Sequence, residues 1–141
     1  MKISGYVPFY NNAATVLAAV DSLRQQQPLL AEVFAVNDGS TDQSAAMLQR
    51  AGVTVLSQPA NLGRGAARAR AMSEAAHDWV LCCDATNVLP PDFAARAARW
   101  LEDPKVAGAF GRIGQRPGGS AVERWRGRHL FRILPPGARP A

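Results

Sequence analysis

Val33-Phe34-Ala35-Val36-Asn37-Asp38-Gly39-Ser40-Thr41-Asp42 carries an apolar run into an acidic residue, a glycine and two hydroxyl residues. The run reads as a buried strand, and Asp38-Gly39 reads as the turn that ends it. Ser40 or Thr41 suits the cap of a following helix, because a side-chain oxygen there accepts an orphan amide of the first turn. In an open α/β sheet ligands bind just beyond the carboxyl ends of the strands, which places the Asp38 carboxylate for recognition rather than for core packing. Asp38 and Asp42 also fit ordinary turn and helix-start positions, which need no ligand.

The same alternation extends to both sides. Residues 2–7 read as a first strand, ended by Pro8, which has no amide proton for a ladder. Asn11 or Asn12 can cap a helix running to about Gln26, whose Val16, Leu17, Val20 and Leu23 share one face at helical spacing. After the central motif a helix follows, closed by Gly52 in the left-handed position. A third strand over 53–57, a helix over about 65–76, a fourth strand over 79–83, a helix opened by Pro90-Pro91 and closed by Asp103-Pro104, and a fifth strand over 106–110 complete the order. Strands alternating with helices of this length imply βαβ crossovers and a mainly parallel sheet with helices on both faces, an α/β fold.

The chain has 141 residues, one domain's worth, and its charge is uneven. Residues 1–110 hold nine Lys or Arg against ten Asp or Glu, whereas 111–141 hold seven Arg against Glu123 alone. Such a basic tail can meet nucleic-acid phosphates or an anionic membrane surface, or remain a solvated end. The solvated end is the favoured reading. Trp125 and Phe131 could stack on bases, but no nucleic-acid motif surrounds them, and no nucleic-acid partner is expected. The stretch from Glu123 to Ile133 has the pattern of one amphipathic helix. Adjacent Cys82 and Cys83 lie in an apolar strand and read as buried small hydrophobes rather than a disulfide or metal pair, which fits a reducing, cytoplasmic setting. No signal peptide and no apolar run long enough to cross a bilayer are visible.

Three segments at strand ends occur in a telling order: Val7-Pro8-Phe9-Tyr10-Asn11, then Asn37-Asp38-Gly39-Ser40-Thr41-Asp42, then Asn61-Leu62-Gly63 followed by Ala67-Arg68. Together they resemble the nucleotide-sugar half of the inverting family 2 glycosyltransferases, which carry Pro-x-Tyr-Asn, (Asn/Asp)-Asp-Gly-Ser-Thr-Asp and Asn-x-Gly-x-x-x-Ala-Arg. The resemblance covers about residues 2–113; it implies a nucleotide-sugar-binding domain over 1–113 and leaves 114–141 as the basic tail. It implies the GT-A, Rossmann-like fold and transfer of a sugar from a nucleotide-diphosphate donor with inversion. By the same resemblance Pro8, Tyr10, Asn11, Asp38, Gly39, Arg68 and Asp84 are the nucleotide-binding positions. Asp38 would accept the imide proton of uracil, Pro8 or Tyr10 would pack on the base, and the first loop would hold the ribose. Arg68 would lie near the base or the diphosphate; its other reading is a surface arginine beside Arg64 and Arg70.

At the fourth strand the resemblance departs. Family members place Asp-x-Asp there, so that a divalent cation, manganese or magnesium, can hold the diphosphate. Here the residues are Asp84-Ala85-Thr86-Asn87. Asp84 matches the first carboxylate and is the candidate metal residue, while Thr86 stands where the second carboxylate is expected. A neutral hydroxyl is a poorer ligand, so metal affinity should fall unless Asn87 or Asp92 compensates. The acceptor half of the fold is largely missing, and neither Glu123 nor His129 stands out as its general base. The expectation is therefore a glycosyltransferase donor half, uridine-preferring and truncated. The alternative is a non-catalytic nucleotide-binding remnant, or a module needing a partner chain. Self-association is expected to protect surface that the missing half would cover.

Overall fold

The computed structural model describes residues 1–111, 114 and 120, and the helix read over Glu123–Ile133 lies outside them. The chain divides into two units, Met1–Ala107 and Gly108–Ala141. In the first, β1 (Ile3–Phe9), α1 (Val16–Arg24), β2 (Glu32–Asn37), α2 (Ser44–Arg50), β3 (Thr54–Ser57), α3 (Arg64–Glu74), β4 (Trp79–Cys82) and α4 (Phe93–Leu101) follow one another. The strand order is β3-β2-β1-β4, and every pairing is parallel. In register, Tyr6 stands beside Phe34 on one side and Cys82 on the other.

Strand periodicity divides the core between the two faces of this sheet. One face carries Val7, Phe9 and Ala35 against Val16, Val20 and Leu23 of α1 and Leu48 of α2. The other carries Tyr6, Phe34 and Val36 against Ala67 and Ala71 of α3. Helices thus cover both faces, as the alternation predicts. Leu23 and Leu48 are fully buried, each worth about 1.5–3 kcal/mol of transfer free energy. The alanines of α3 let that helix lie close to the Tyr6–Phe34 pair, whose rings stack 6.0 Å apart. Gln26, fully buried, ties the start of α4 to the end of α1: its Nε2 donates to the Ser22 and Pro90 carbonyls, and its Oε1 accepts from the Ala94 amide.

Several local expectations are corrected. Val106–Phe110 forms no strand: its Gly and two Ala have weak strand preference, and Phe110 is fully exposed. Ser40 and Thr41 do not cap α2, which begins four residues later with Gln43 at its cap position. Nor does an asparagine side chain cap α1: Thr15 is at that position, and the Asn12 carbonyl accepts from the Thr15 and Val16 amides. Gly52, with φ of 68°, closes α2 in the left-handed region as expected. Of the two cysteines, both free, only Cys83 is buried; Cys82 is exposed because β4 is half-covered.

Candidate functional site

The chain winds from β1 outward through β2 to β3 and then returns to place β4 on the other side of β1. That reversal leaves a crevice between the carboxyl ends of β1 and β4, where open parallel sheets bind ligands. A cleft of about 230 Å³ lies there, lined by Pro8 and Tyr10 after β1, Asp38 after β2, Arg64 on α3, and Asp84 and Thr86 after β4. A larger hollow, about 810 Å³, lies at the opposite ends of the strands, lined by 28–31 and α4 together with Lys2, His77, Asp78 and Glu102. Its nearest polar network is satisfied internally, with the Ser4 hydroxyl and the Ala76 amide both donating to Glu32 Oε1 at 2.6 and 2.7 Å. The smaller cleft is the one at the carboxyl ends of the strands, where the three motif segments end.

Asp38 is 4% exposed, and its carboxylate is already at work. Oδ1 accepts from Gln58 Nε2 at 2.6 Å and from the Leu62 amide at 2.8 Å, and Oδ2 accepts from the Gly63 amide at 3.0 Å. A carboxylate offers about four lone-pair sites, so these bonds leave about one for a ligand donor. Asp38 thus holds the 58–63 loop. Gln58, which supports Asp38 without lining the cleft, was missed by sequence reading; its only signal was a polar side chain at the end of a strand. Gly39 makes the same loop approach possible: φ is 72°, and a Cβ there would stand 2.4 Å from the Ala60 carbonyl carbon.

Asn11 turns away from the cleft toward the second loop. It adopts φ of 51°, a conformation asparagine tolerates, and its Oδ1 accepts from the Thr41 and Asp42 amides at 2.8 and 3.2 Å. Its own amide donates to the Ser40 hydroxyl at 3.0 Å. The Asn12 amide donates to Ser44 Oγ at 2.9 Å and the Ala13 amide to Asp42 Oδ2 at 3.0 Å. Ser44 Oγ in turn donates to Asp42 Oδ1, and this bond, with the two amides that reach the same carboxylate, holds the Asp42 carboxyl below the usual range. The hydroxyl residues of the central motif thus clasp the first loop to the second. Tyr10 remains 43% exposed and lines the cleft.

Arg68 does not itself line the cleft, but its Nη2 meets Oδ1 of the lining residue Asp84 at 2.7 Å. Arg68 Nε is buried and has no partner among the described residues. The Asp84–Asn87 turn is closed by the Asn87 amide on the Asp84 carbonyl, and Asn87 does not line the cleft. Asp92 does not compensate for Thr86: it sits at the cap position of α4, paired with Arg96 at 2.9 Å. A divalent cation needs hard oxygen ligands, and here it would find one carboxylate that is already paired and one neutral hydroxyl. Among the described residues no group of three or more His, Cys, Asp or Glu is placed to hold a metal ion. The donor set does not fit the cation.

A parallel sheet with this strand order and a cleft at its switch point is the GT-A, Rossmann-like fold of glycosyltransferases. The chain belongs to glycosyl transferase family 2, whose model matches residues 4–140. It is 30% identical over 106 residues to the succinoglycan biosynthesis protein ExoO of Rhizobium meliloti (strain 1021), covering 73% of this chain and 30% of that protein. Among solved structures it resembles mannosyltransferase PcManGT from Pyrobaculum calidifontis, in complex with GDP-Man and Mn2+, at 27% identity and a TM-score of 0.68, covering 74% of this chain and 33% of that one. It also resembles S. aureus TarS 1-349 in complex with UDP, at 27% identity and a TM-score of 0.63, covering 73% of this chain and 32% of that one. The chain thus spans about a third of the length of these relatives. Among the described residues no helix is long and apolar enough to cross a membrane.

Proposed function

We propose that this chain holds a uridine-based nucleotide-diphosphate sugar and forms the donor half of an inverting glycosyl transferase, with residues 1–113 as the donor-binding domain. The carrying observation is the cleft at the β1/β4 switch point, where Tyr10, the buried Asp38, Arg64 and Asp84 share one lining and Arg68 reaches Asp84. Tyr10 packs on the base, and the remaining acceptor site on Asp38 takes its imide proton. The relatives complexed with UDP and with GDP-Man support a nucleotide donor. At about 230 Å³ the cleft falls below the roughly 300–1,000 Å³ of most ligand pockets, so it takes part of the donor and leaves the sugar to further chain or partner surface.

In the reaction the acceptor oxygen attacks the anomeric carbon opposite the diphosphate. The bond from that carbon to the diphosphate oxygen breaks with its electron pair, and the acceptor proton passes to a general base. Neither cleft carboxylate is free for that role, since Asp38 holds three donors and Asp84 holds Arg68. Glu123 and His129 lie outside the described residues. This favours a second reading: a nucleotide-binding module that transfers sugar only with a partner chain. Calorimetric titration with UDP, native against Asp38→Asn, tests binding. A sugar-transfer assay on the purified chain separates the two readings, because turnover by the chain alone excludes the second.

Two smaller proposals accompany this one. Two free cysteines fit the reducing cytoplasm. Among the described residues β4 pairs only with β1, so self-association is expected to cover its free edge, and a monomer by light scattering at high concentration refutes it.

A further inference from the structure

We propose that Arg68, rather than a divalent cation, neutralises the diphosphate of a nucleotide in this cleft, so that nucleoside diphosphate binding by this chain is metal-independent. The inference rests on the donor-binding reading above and departs from what the resemblance implies about manganese or magnesium.

Carboxylates are the first consideration. A cation bound with diphosphate is held by one or two protein carboxylates together with phosphate oxygens. Four carboxylates lie on the loops and helix starts that follow β2 and β4, and each is engaged. Asp38 accepts three N–H donors, Asp42 holds Ser44 and the Ala13 amide, Asp92 pairs with Arg96, and Asp84 pairs with Arg68. Where a second ligand is needed, Thr86 presents a neutral hydroxyl. A cation at Asp84 would have to displace the guanidinium at 2.7 Å or share the carboxylate with it against like charge.

The guanidinium has spare capacity. It carries five N–H donors in a planar fork suited to phosphate oxygens, and Asp84 engages it through Nη2. Its buried Nε lacks a partner among the described residues. Arg70 Nε on the same helix is in the same state, and what a phosphate oxygen can reach is the outer part of the Arg68 side chain, which is 43% exposed. Arg64, four residues earlier on α3, lines the cleft, and Arg68, one turn on, is joined to it through the lining residue Asp84. Asp84 then acts as a positioning residue: it orients Arg68 across the switch point and leaves the rest of the fork open.

The test is calorimetric titration of the full chain with uridine, UMP and UDP, in EDTA and then in manganese. The expected result is that UDP binds in EDTA within about threefold of its affinity in manganese. Arg68→Gln should weaken UDP at least about tenfold, roughly one charge-assisted hydrogen bond, while changing uridine by less than about twofold. UDP binding that disappears in EDTA and returns with manganese overturns the inference while leaving the donor-binding reading intact. So does Mn2+ alone binding to the native chain but not to Asp84→Asn in an electron paramagnetic resonance titration. Absence of binding by any of the three ligands in both conditions overturns the donor-binding reading itself. The EDTA comparison uses the unaltered chain, so it decides the matter even if Arg68→Gln folds poorly.

Discussion

Replacing Gly39 by alanine tests whether the central turn is built around the approach of the 58–63 loop. The backbone there has φ of 72°, and a residue with a Cβ pays about 1–2 kcal/mol for that conformation. The added carbon would stand 2.4 Å from the Ala60 carbonyl carbon and 2.6 Å from the Asn61 nitrogen. Ordinary carbon contacts lie at about 3.5–4.0 Å, so loop and turn must part by about 1 Å. Because the obstacle is backbone, no rotamer relieves it, and overpacking of this kind costs about 1–3 kcal/mol more. The sum is about 2–5 kcal/mol, a large part of the roughly 5–15 kcal/mol that stabilises a domain. Gly52 provides the control: its φ is 68°, yet a Cβ there would meet nothing within 4 Å. Gly52→Ala should therefore lose only the conformational part, about 1–2 kcal/mol. Urea unfolding of the two variants isolates the contact as their difference. Since Leu62 and Gly63, just beyond the crowded atoms, donate to Asp38, Gly39→Ala should also weaken UDP binding while Gly52→Ala leaves it unchanged. Equal destabilisation of the two, within about 0.5 kcal/mol, would refute the loop approach.

Other outcomes follow from the same geometry. Asp38→Ala should cost about 1.5–3 kcal/mol by urea unfolding, because it strips the acceptor from three donors, and Asp38→Asn, which keeps one oxygen, should lose less. Hydrogen bonds from Ser4 and the Ala76 amide hold the Glu32 carboxyl below its ordinary value near 4.5. That stabilisation is present above the unfolded value and is lost as pH falls through the lower folded one, so the urea midpoint should drop more steeply below about pH 4.5 for the native chain than for Glu32→Gln. Burial pushes the Cys83 thiol up to about 11, whereas Cys82 is exposed. Iodoacetamide at pH 8 should add one group to the folded chain and two after unfolding; two adducts on the native chain would contradict the burial.

Sequence reading reached far along this chain because its local signals agree. Apolar runs leading to Asp38 and Asp84 marked two strand ends, whereas Pro8 does not end β1, which continues through it to Phe9 with Pro8 in register beside Val36; all three positions still meet at the cleft. The fifth strand misled because a short apolar stretch carries no information about whether a neighbour exists to pair with it. Ser40 and Thr41 misled for a related reason. Their hydroxyls suit a helix cap, but Asn11, 29 and 30 residues away in sequence, competes for them. Cys82 and Cys83 look alike in sequence, and their exposure differs because neighbouring extended residues point to opposite sides, which sends Cys83 into the core beside Val7 and Phe9.

What the sequence determined alone is the alternation of elements and the kind of residue delivered to each strand end, because periodicity, turn chemistry and capping act over a few residues. Tertiary structure decided which of those residues remain available to a ligand. Asp38 is spent largely on Gln58, Leu62 and Gly63, Asn11 on the second loop, and Asp84 on Arg68. Each partner lies 16 or more residues from the group it engages. Strand order set those distances to hydrogen-bond length: by returning β4 to the far side of β1, the fold brought Arg68 against Asp84 and made the cation's expected carboxylate the anchor of a guanidinium.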